Sequence, residues 1–185
     1  MIIWRIQTQN FLNFKLNFTE MENLILNHEQ IQHKIKRIAY QIYEANVNED
    51  EIIIAGIEGG GLKLANKIVA LLKKITEANI VLCKVKMDKA NPLESGVVTS
   101  IPEEDYTNKS IVLIDDVLNS GTTLIYGVHH FLKTPIKKLK TAVLVNRNHK
   151  KYPVKADYKG ISLSTSLHEH VHVTFETKNY SVHLE

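Results

Sequence analysis

Apolar residues recur along this chain in two rhythms. In "LNHEQIQHKIKRIAYQIYEAN", Ile31, Ile35, Ile38, Ala39 and Ile42 fall at helical intervals, and Asn27 is placed to cap the first turn. "LKLANKIVALLKKI" (62–75) repeats the helical pattern, and a third helix is expected over Thr122–Leu132. Between them lie short, continuous apolar runs: "EIIIAGI" (51–57), "NIVLCKVKM" (79–87), Ile111–Ile114 and "KLKTAVLVN" (138–146). Strands of that kind, separated by helices, predict an α/β fold with a mostly parallel twisted sheet covered by helices on both faces. "NPLESGVVTSIPEEDYTN" (91–108) carries two prolines and a glycine and reads as a long mobile loop or a loose hairpin. The tail "ADYKGISLSTSLHEHVHVTFE" ends in an alternating stretch, expected as a last strand.

In a parallel sheet, ligands bind beyond the carboxyl ends of the strands. Two glycine-bearing turns, 56–61 and 119–123, both follow strands and should face one crevice. The second sits in "IVLIDDVLNSGTTL", where an apolar strand runs into Asp115 and Asp116. Two carboxylates this close repel unless something uses them; they serve as acceptors for vicinal hydroxyls or help orient a hydrated Mg²⁺. The turn that follows offers three hydroxyls (Ser120, Thr122 and Thr123) and the N–H groups of a helix start, with Gly121 allowing close backbone approach. Diol acceptors beside a phosphate cradle point to a ribose 5-phosphate.

A chain of 185 residues, 44% hydrophobic and 23% charged, is suited to one folded domain, placed at 21–185. Met21 stands directly before the first well-patterned segment, and residues 1–20 are set apart as an N-terminal extension. No apolar run approaches the ~20 residues needed to cross a bilayer, and the opening residues lack the pattern of a secretory signal. A single cysteine, Cys83, lies within a strand pattern; it excludes an internal disulfide and suits a reducing cytoplasm. The net charge is +3, with basic residues gathered between Lys133 and Lys155 (including Lys137, Lys138, Lys140, Arg147, Lys150 and Lys151). That run is either a solvated helix end and loop or a face for RNA or phosphate. His168, His170 and His172 share one face of a strand, read as a polar outer face rather than a metal cluster.

The stretch 111–124 resembles the 5-phosphoribosyl-1-pyrophosphate signature of type I phosphoribosyltransferases. The resemblance implies that Asp115 and Asp116 hold the ribose hydroxyls and, with the donor, Mg²⁺, while Asn119, Ser120, Gly121, Thr122 and Thr123 hold the 5-phosphate. It also implies that "GIEGGGLKLA" is the pyrophosphate loop, with Glu58, Gly59, Gly60 and Gly61 at its turn. The family commonly has Lys, Arg or Thr there; this chain has Glu58, with Lys63 the nearest cation. A carboxylate facing pyrophosphate is unfavourable unless Mg²⁺ lies between them or Glu58 points away.

The last third is similar to the tail of the pyrimidine-operon attenuators that also act as uracil phosphoribosyltransferases, through Arg147, His149, Pro153, Lys155, Ala156, Asp157, Tyr158, Gly160, Thr165 and Ser166. Ser164 stands where that group commonly has proline. Tyr158, a flat ring suited to stacking, and Lys155 are the expected base-binding residues. The fold implied adds a small hood from the C-terminal region, and the loop 88–105 is expected to close over the site, with Asp88 and Lys89 near its start. Asn119 occupies the position where purine enzymes of the family usually place an aspartate as general base, and an amide takes no proton at neutral pH. Three readings follow: a uracil-type phosphoribosyltransferase, an RNA-binding regulator of pyrimidine genes that senses nucleotides, and a purine phosphoribosyltransferase. Relatives form dimers or tetramers, so a homo-oligomer is expected.

Overall fold

The two hydrophobic rhythms resolve, in the computed structural model, into a parallel sheet between helices and a smaller antiparallel sheet. The structure describes residues 23–147, 149–166, 169–176 and 179–185; the proposed extension 1–20 and His168 lie outside them. In chain order the elements are β1 (Leu24–Leu26), α1 (His28–Glu44), β2 (Glu51–Ile57), α2 (Gly60–Ile75), β3 (Asn79–Lys86), α3 (Pro92–Ser95) and β4 (Val98–Thr99). There follow α4 (Glu103–Tyr106), β5 (Ser110–Leu118), α5 (Thr122–Phe131), β6 (Lys138–Arg147), β7 (Tyr158–Leu163), β8 (Val171–Phe175) and β9 (Tyr180–Leu184).

The main sheet has the order β4-β3-β2-β5-β6-β7, parallel except for its edge strand β4. Its central strands are apolar on both sides because both sides are covered. Ile52, Ile54, Val112 and Ile114 pack into a core shared with α1 and α2. Ile53, Ala55, Ile57, Ile111 and Leu113 pack into a second core with Tyr106, Leu124, Phe131 and Val154. Helix α1 starts where its cap chemistry dictates. The Asn27 side chain accepts from the Gln30 N–H, and the Gln30 side chain accepts from the Asn27 N–H, each at 3.0 Å. Its Arg37 reaches the edge strand β7 and donates to the carbonyls of Lys159 (2.8 Å) and Gly160 (2.7 Å).

The structure departs from the sequence reading in two places and selects between its alternatives in a third. Strand β5 does not stop at Ile114 but continues to Leu118, held by β6 through the pairs Asp115↔Val143 and Val117↔Val145. Of the two alternatives for 91–108, the structure takes the loose hairpin: Val98 and Thr99 pair antiparallel with Lys86 and Val85, and Tyr106 is fully buried in the second core. The tail forms three strands, not one. β7 joins the main sheet, while β8 and β9 make a hood with β1 from the other end of the described chain. β7 hides from pattern-reading because it carries Gly160, where a Cβ would come within 2.5 Å of the Leu144 carbonyl. On the hood, Val171, Val173 and Phe175 pack inward against the first core, and His172 is on the exposed side. Among the described residues no group of three or more His, Cys, Asp or Glu could hold a metal, and no helix is long and apolar enough to cross a membrane. Cys83 is fully buried in β3.

Strand β2 meets α2 at Gly56, where a Cβ would lie 2.7 Å from the Ala65 Cβ and 2.9 Å from the Leu62 Cα. Helix backbone cannot step aside without moving the whole element. Gly56→Ala is therefore expected to destabilise the fold by about 1–3 kcal/mol, read as a lower urea midpoint with an unchanged m-value.

Candidate active site

Strands β2 and β5 are parallel neighbours, with Gly56 level with Ile114, so the turn after β2 comes down on the aspartates of β5. The contact is close. A Cβ on Gly60 would fall on the Asp116 carboxylate, and one on Gly61 would lie 2.7 Å from the Ile114 carbonyl and 2.9 Å from the Asp115 Cα. Gly59, at φ 100°, makes the turn itself in a region that favours glycine. Three glycines in succession are thus what allow the first turn of α2 to seat on the acid pair.

Asp115 is 2% exposed; its Oδ1 accepts the Asp116 N–H at 3.0 Å and lies 3.8 Å from the Lys89 Nζ. Burial, and then the neighbouring Asp116 charge, raise the Asp115 carboxyl to about 8 against the pull of Lys89. Asp116 is only half-buried and remains the more accessible acceptor of the two.

The second turn is built from hydroxyls. Gly121 sits at φ 83°, in the left-handed region, and begins α5. Ser120 Oγ lies 2.9 Å from Thr122 Oγ1 and accepts the Thr122 N–H at 3.3 Å. The Ser120 carbonyl accepts the N–H groups of Lys151 (2.8 Å) and Tyr152 (3.2 Å), which brace the turn from the basic loop. A Cβ on Gly121 would strike Val154. Ser120, Thr122, Thr123 and the first N–H groups of α5 therefore form an anion cradle beyond the carboxyl end of β5.

The remaining expected residues divide. Glu58 does not face the glycine turn: its carboxylate pairs with Lys84 at 2.5 Å, and this lowers its pKa. The ammonium of Lys84 on β3 holds the Glu58 carboxylate in this position. The cation the turn itself lacks comes from the 88–105 segment. Lys89 Nζ lies 3.8 Å from where a Gly59 Cβ would be, as well as 3.8 Å from Asp115. Lys63 is exposed on α2.

Tyr158 opens β7 opposite Ala142, and its half-buried ring packs against the core shared with α1. Lys155 is exposed, and its carbonyl accepts from the Thr141 hydroxyl at 2.8 Å. The basic run does not form one free face. Lys137 (2.8 Å) and Lys138 (3.9 Å) share Glu49, and Lys140 pairs with Asp157 at 2.9 Å.

Sequence reasoning missed Arg147 as a site residue. It closes β6 at the carboxyl edge, is 3% exposed, and donates to Asn119 Oδ1 (3.2 Å), Thr165 Oγ1 (2.7 Å) and the Ser166 carbonyl (2.8 Å). Its signal was position, the last residue of an apolar strand, and the surrounding lysines masked it.

A carboxyl that keeps its proton to higher pH when folded stabilises the fold at low pH, and that stability is lost as pH rises. The unfolded Asp115 ionises near pH 4, the folded one only at about 8, so in this window the unfolded chain binds fewer protons and unfolding becomes easier. Asp115→Asn removes the effect. Urea titrations from pH 4 to 8 should show the wild type losing stability relative to the variant by at most ~1.4 kcal/mol per pH unit; parallel curves would contradict the assignment.

The phosphoribosyl transferase domain family matches residues 23–179 of this chain. Among curated proteins, the chain is 34% identical over 150 residues to the bifunctional protein PyrR of Streptococcus agalactiae serotype Ia, covering 80% of this chain and 86% of that protein. It is 29% identical over 163 residues to the PyrR of Actinobacillus pleuropneumoniae serotype 5b, covering 83% and 89%. Among solved structures, a hypoxanthine-guanine phosphoribosyltransferase of Bacillus anthracis shares the fold at a TM-score of 0.65 with 22% identity, over 77% of this chain and 82% of that one. With an acid pair seated under a glycine turn, a hydroxyl turn opening the next helix, and a family match across nearly all described elements, the chain belongs to the type I phosphoribosyltransferases, in the neighbourhood of PyrR.

Proposed function

We propose that the protein joins a free nucleobase, uracil first among them, to the ribose 5-phosphate of 5-phosphoribosyl-1-pyrophosphate and releases pyrophosphate. The observation that carries this is the meeting of the Asp115–Asp116 pair, the 59–61 glycine turn and the 119–123 hydroxyl turn at one sheet edge. Ser120, Gly121, Thr122 and Thr123 hold the 5-phosphate, with Asn119 opening their turn, Asp116 and Asp115 accept from the ribose hydroxyls, and the N–H groups of Gly59–Gly61 meet the pyrophosphate. The base nitrogen forms its bond to C1 as the C1–oxygen bond to pyrophosphate breaks, and the nitrogen's proton leaves to solvent. Positioning of the two reactants supplies most of the rate.

The donor set fits Mg²⁺ held jointly with the substrate. Two adjacent carboxylates without a third ligand can orient a hydrated ion whose other donors are diphosphate and ribose oxygens. When bound, Mg²⁺ offsets the charge of the leaving pyrophosphate. Lys89 lies between the acid pair and the glycine turn and adds a positive charge to the same place.

Uracil is favoured over purines because the curated relatives carry the PyrR name and because Asn119 offers an amide where a general base would be needed. The likeness to hypoxanthine-guanine enzymes is one of fold, at 22% identity. An RNA-binding regulator remains the second reading, drawn from the bifunctional relatives and the exposed Lys150 and Lys151. The ion pairs of Lys137 and Lys138 with Glu49 weigh against those two as its contacts.

Pyrophosphate release with uracil, hypoxanthine, guanine, adenine and orotate in parallel tests the proposal. Uracil should turn over fastest, and Asp116→Asn should lower kcat/KM by about 100-fold. Activity with no base would sink the enzymatic reading, and hypoxanthine or guanine as best acceptor would replace uracil with a purine.

A further inference from the structure

Arg147 is a buried cation whose contacts are not to a carboxylate. Its three recorded bonds go to an amide oxygen, a hydroxyl and a carbonyl, on two segments far apart in sequence. Asn119 belongs to the turn after β5; Thr165 and Ser166 belong to the connection leaving β7. That connection is fixed a second time by His149, whose Nε2 lies 2.6 Å from the Thr165 carbonyl. The guanidinium is thus a tie between the phosphate turn and the wall beside it, and its burial at 3% exposure leaves it little freedom to release either.

The chemistry of that tie sets which way the Asn119 amide lies. A guanidinium has only donors, so the atom 3.2 Å from Arg147 Nη1 must be the amide oxygen, and the amide nitrogen is the other end, with no bond among the described residues. Asn119 is itself exposed at the sheet edge, one residue from the phosphate turn and three from Asp116. We propose that Arg147 is a positioning residue that locks Asn119 with its N–H₂ outward, making position 119 a hydrogen-bond donor that selects acceptor bases with a lone-pair oxygen beside the attacking ring nitrogen. Uracil has that arrangement, a carbonyl next to the nitrogen that joins the sugar. The inference rests on the proposed function and deepens it by assigning how the base is chosen. It also explains why the amide is of use here: an aspartate at 119 would pair with Arg147, stay ionised and offer no hydrogen.

Asn119→Asp tests the point, since it keeps the oxygen that Arg147 grips, changes the free end from donor to acceptor and adds one negative charge. Calorimetric affinities for uridine monophosphate and for ribose 5-phosphate are compared in the full chain, because their ratio cancels any repulsion between the new carboxylate and the phosphate. The ratio should fall by about tenfold or more in Asn119→Asp, whereas a merely structural role for the Arg147 tie, which the variant preserves, would leave it unmoved. An unchanged ratio overturns the proposal, as does a wild type that binds both ligands equally. Loss of pyrophosphate release with every base, together with a fall in the ratio, would instead overturn the enzymatic reading and leave the base-selecting donor standing.

Discussion

Everything at the ligand edge depends on one packing contact: the first turn of α2 lying directly on Asp115 and Asp116. Gly60 and Gly61 have no side chain to hold the two apart, so the helix start meets the carboxylates at van der Waals range. The start of a sixteen-residue helix carries unsatisfied N–H groups and a partial positive charge. Placed over two carboxylates, that charge favours anions in a region that would otherwise repel them. The same contact buries Asp115 and so raises its pKa, leaving Asp116 as the member with access to solvent.

Around this contact two lysines set where the negative charge points. Lys84 on β3 draws Glu58 away from the glycine turn, and Lys89, on the segment after β3, faces Asp115. Lys84 lies on the strand next to β2, in register through Gly56↔Lys84, and Lys89 follows three residues beyond the end of that strand. The substitution that made the turn look unfavourable in sequence, Glu58, is therefore answered by a residue on the adjacent strand. Exposed pairs of this kind contribute little to stability; their effect here is on where the negative charge points.

Much of the sheet was legible because buried parallel strands write continuous apolar runs, and β2, β3, β5 and β6 all do. The acid pair and hydroxyl turn were legible because their spacing is local: strand, carboxylates and helix start occupy one stretch of chain. What escaped depended on partners distant in sequence. β7 has glycine and serine at positions that only make sense against Leu144 and Asn146 of β6. β1, three residues long, has no signature until β9 pairs with it. Tyr158 reads in sequence as either a core or a stacking ring, since burial and stacking both ask for a flat apolar face, and its half-buried place is open to both. Arg147 was hidden for the converse reason: among lysines that stay at the surface, nothing local marks the one cation that turns inward.

That inward turn has a structural consequence beyond its own contacts. The main sheet and the hood are separate hydrogen-bonded units, joined on the α1 and α2 side by apolar packing and by Lys67, which donates to the Tyr180 hydroxyl at 2.6 Å. At the carboxyl edge the polar tie of Arg147 and His149 to Thr165 and Ser166 adds to that packing. A polar joint of fixed geometry suits a wall beside the acid pair, since an apolar one would raise the cost of holding charge there. The joint at the carboxyl edge thus carries directional bonds of its own, and the Asn119 amide is oriented by one of them.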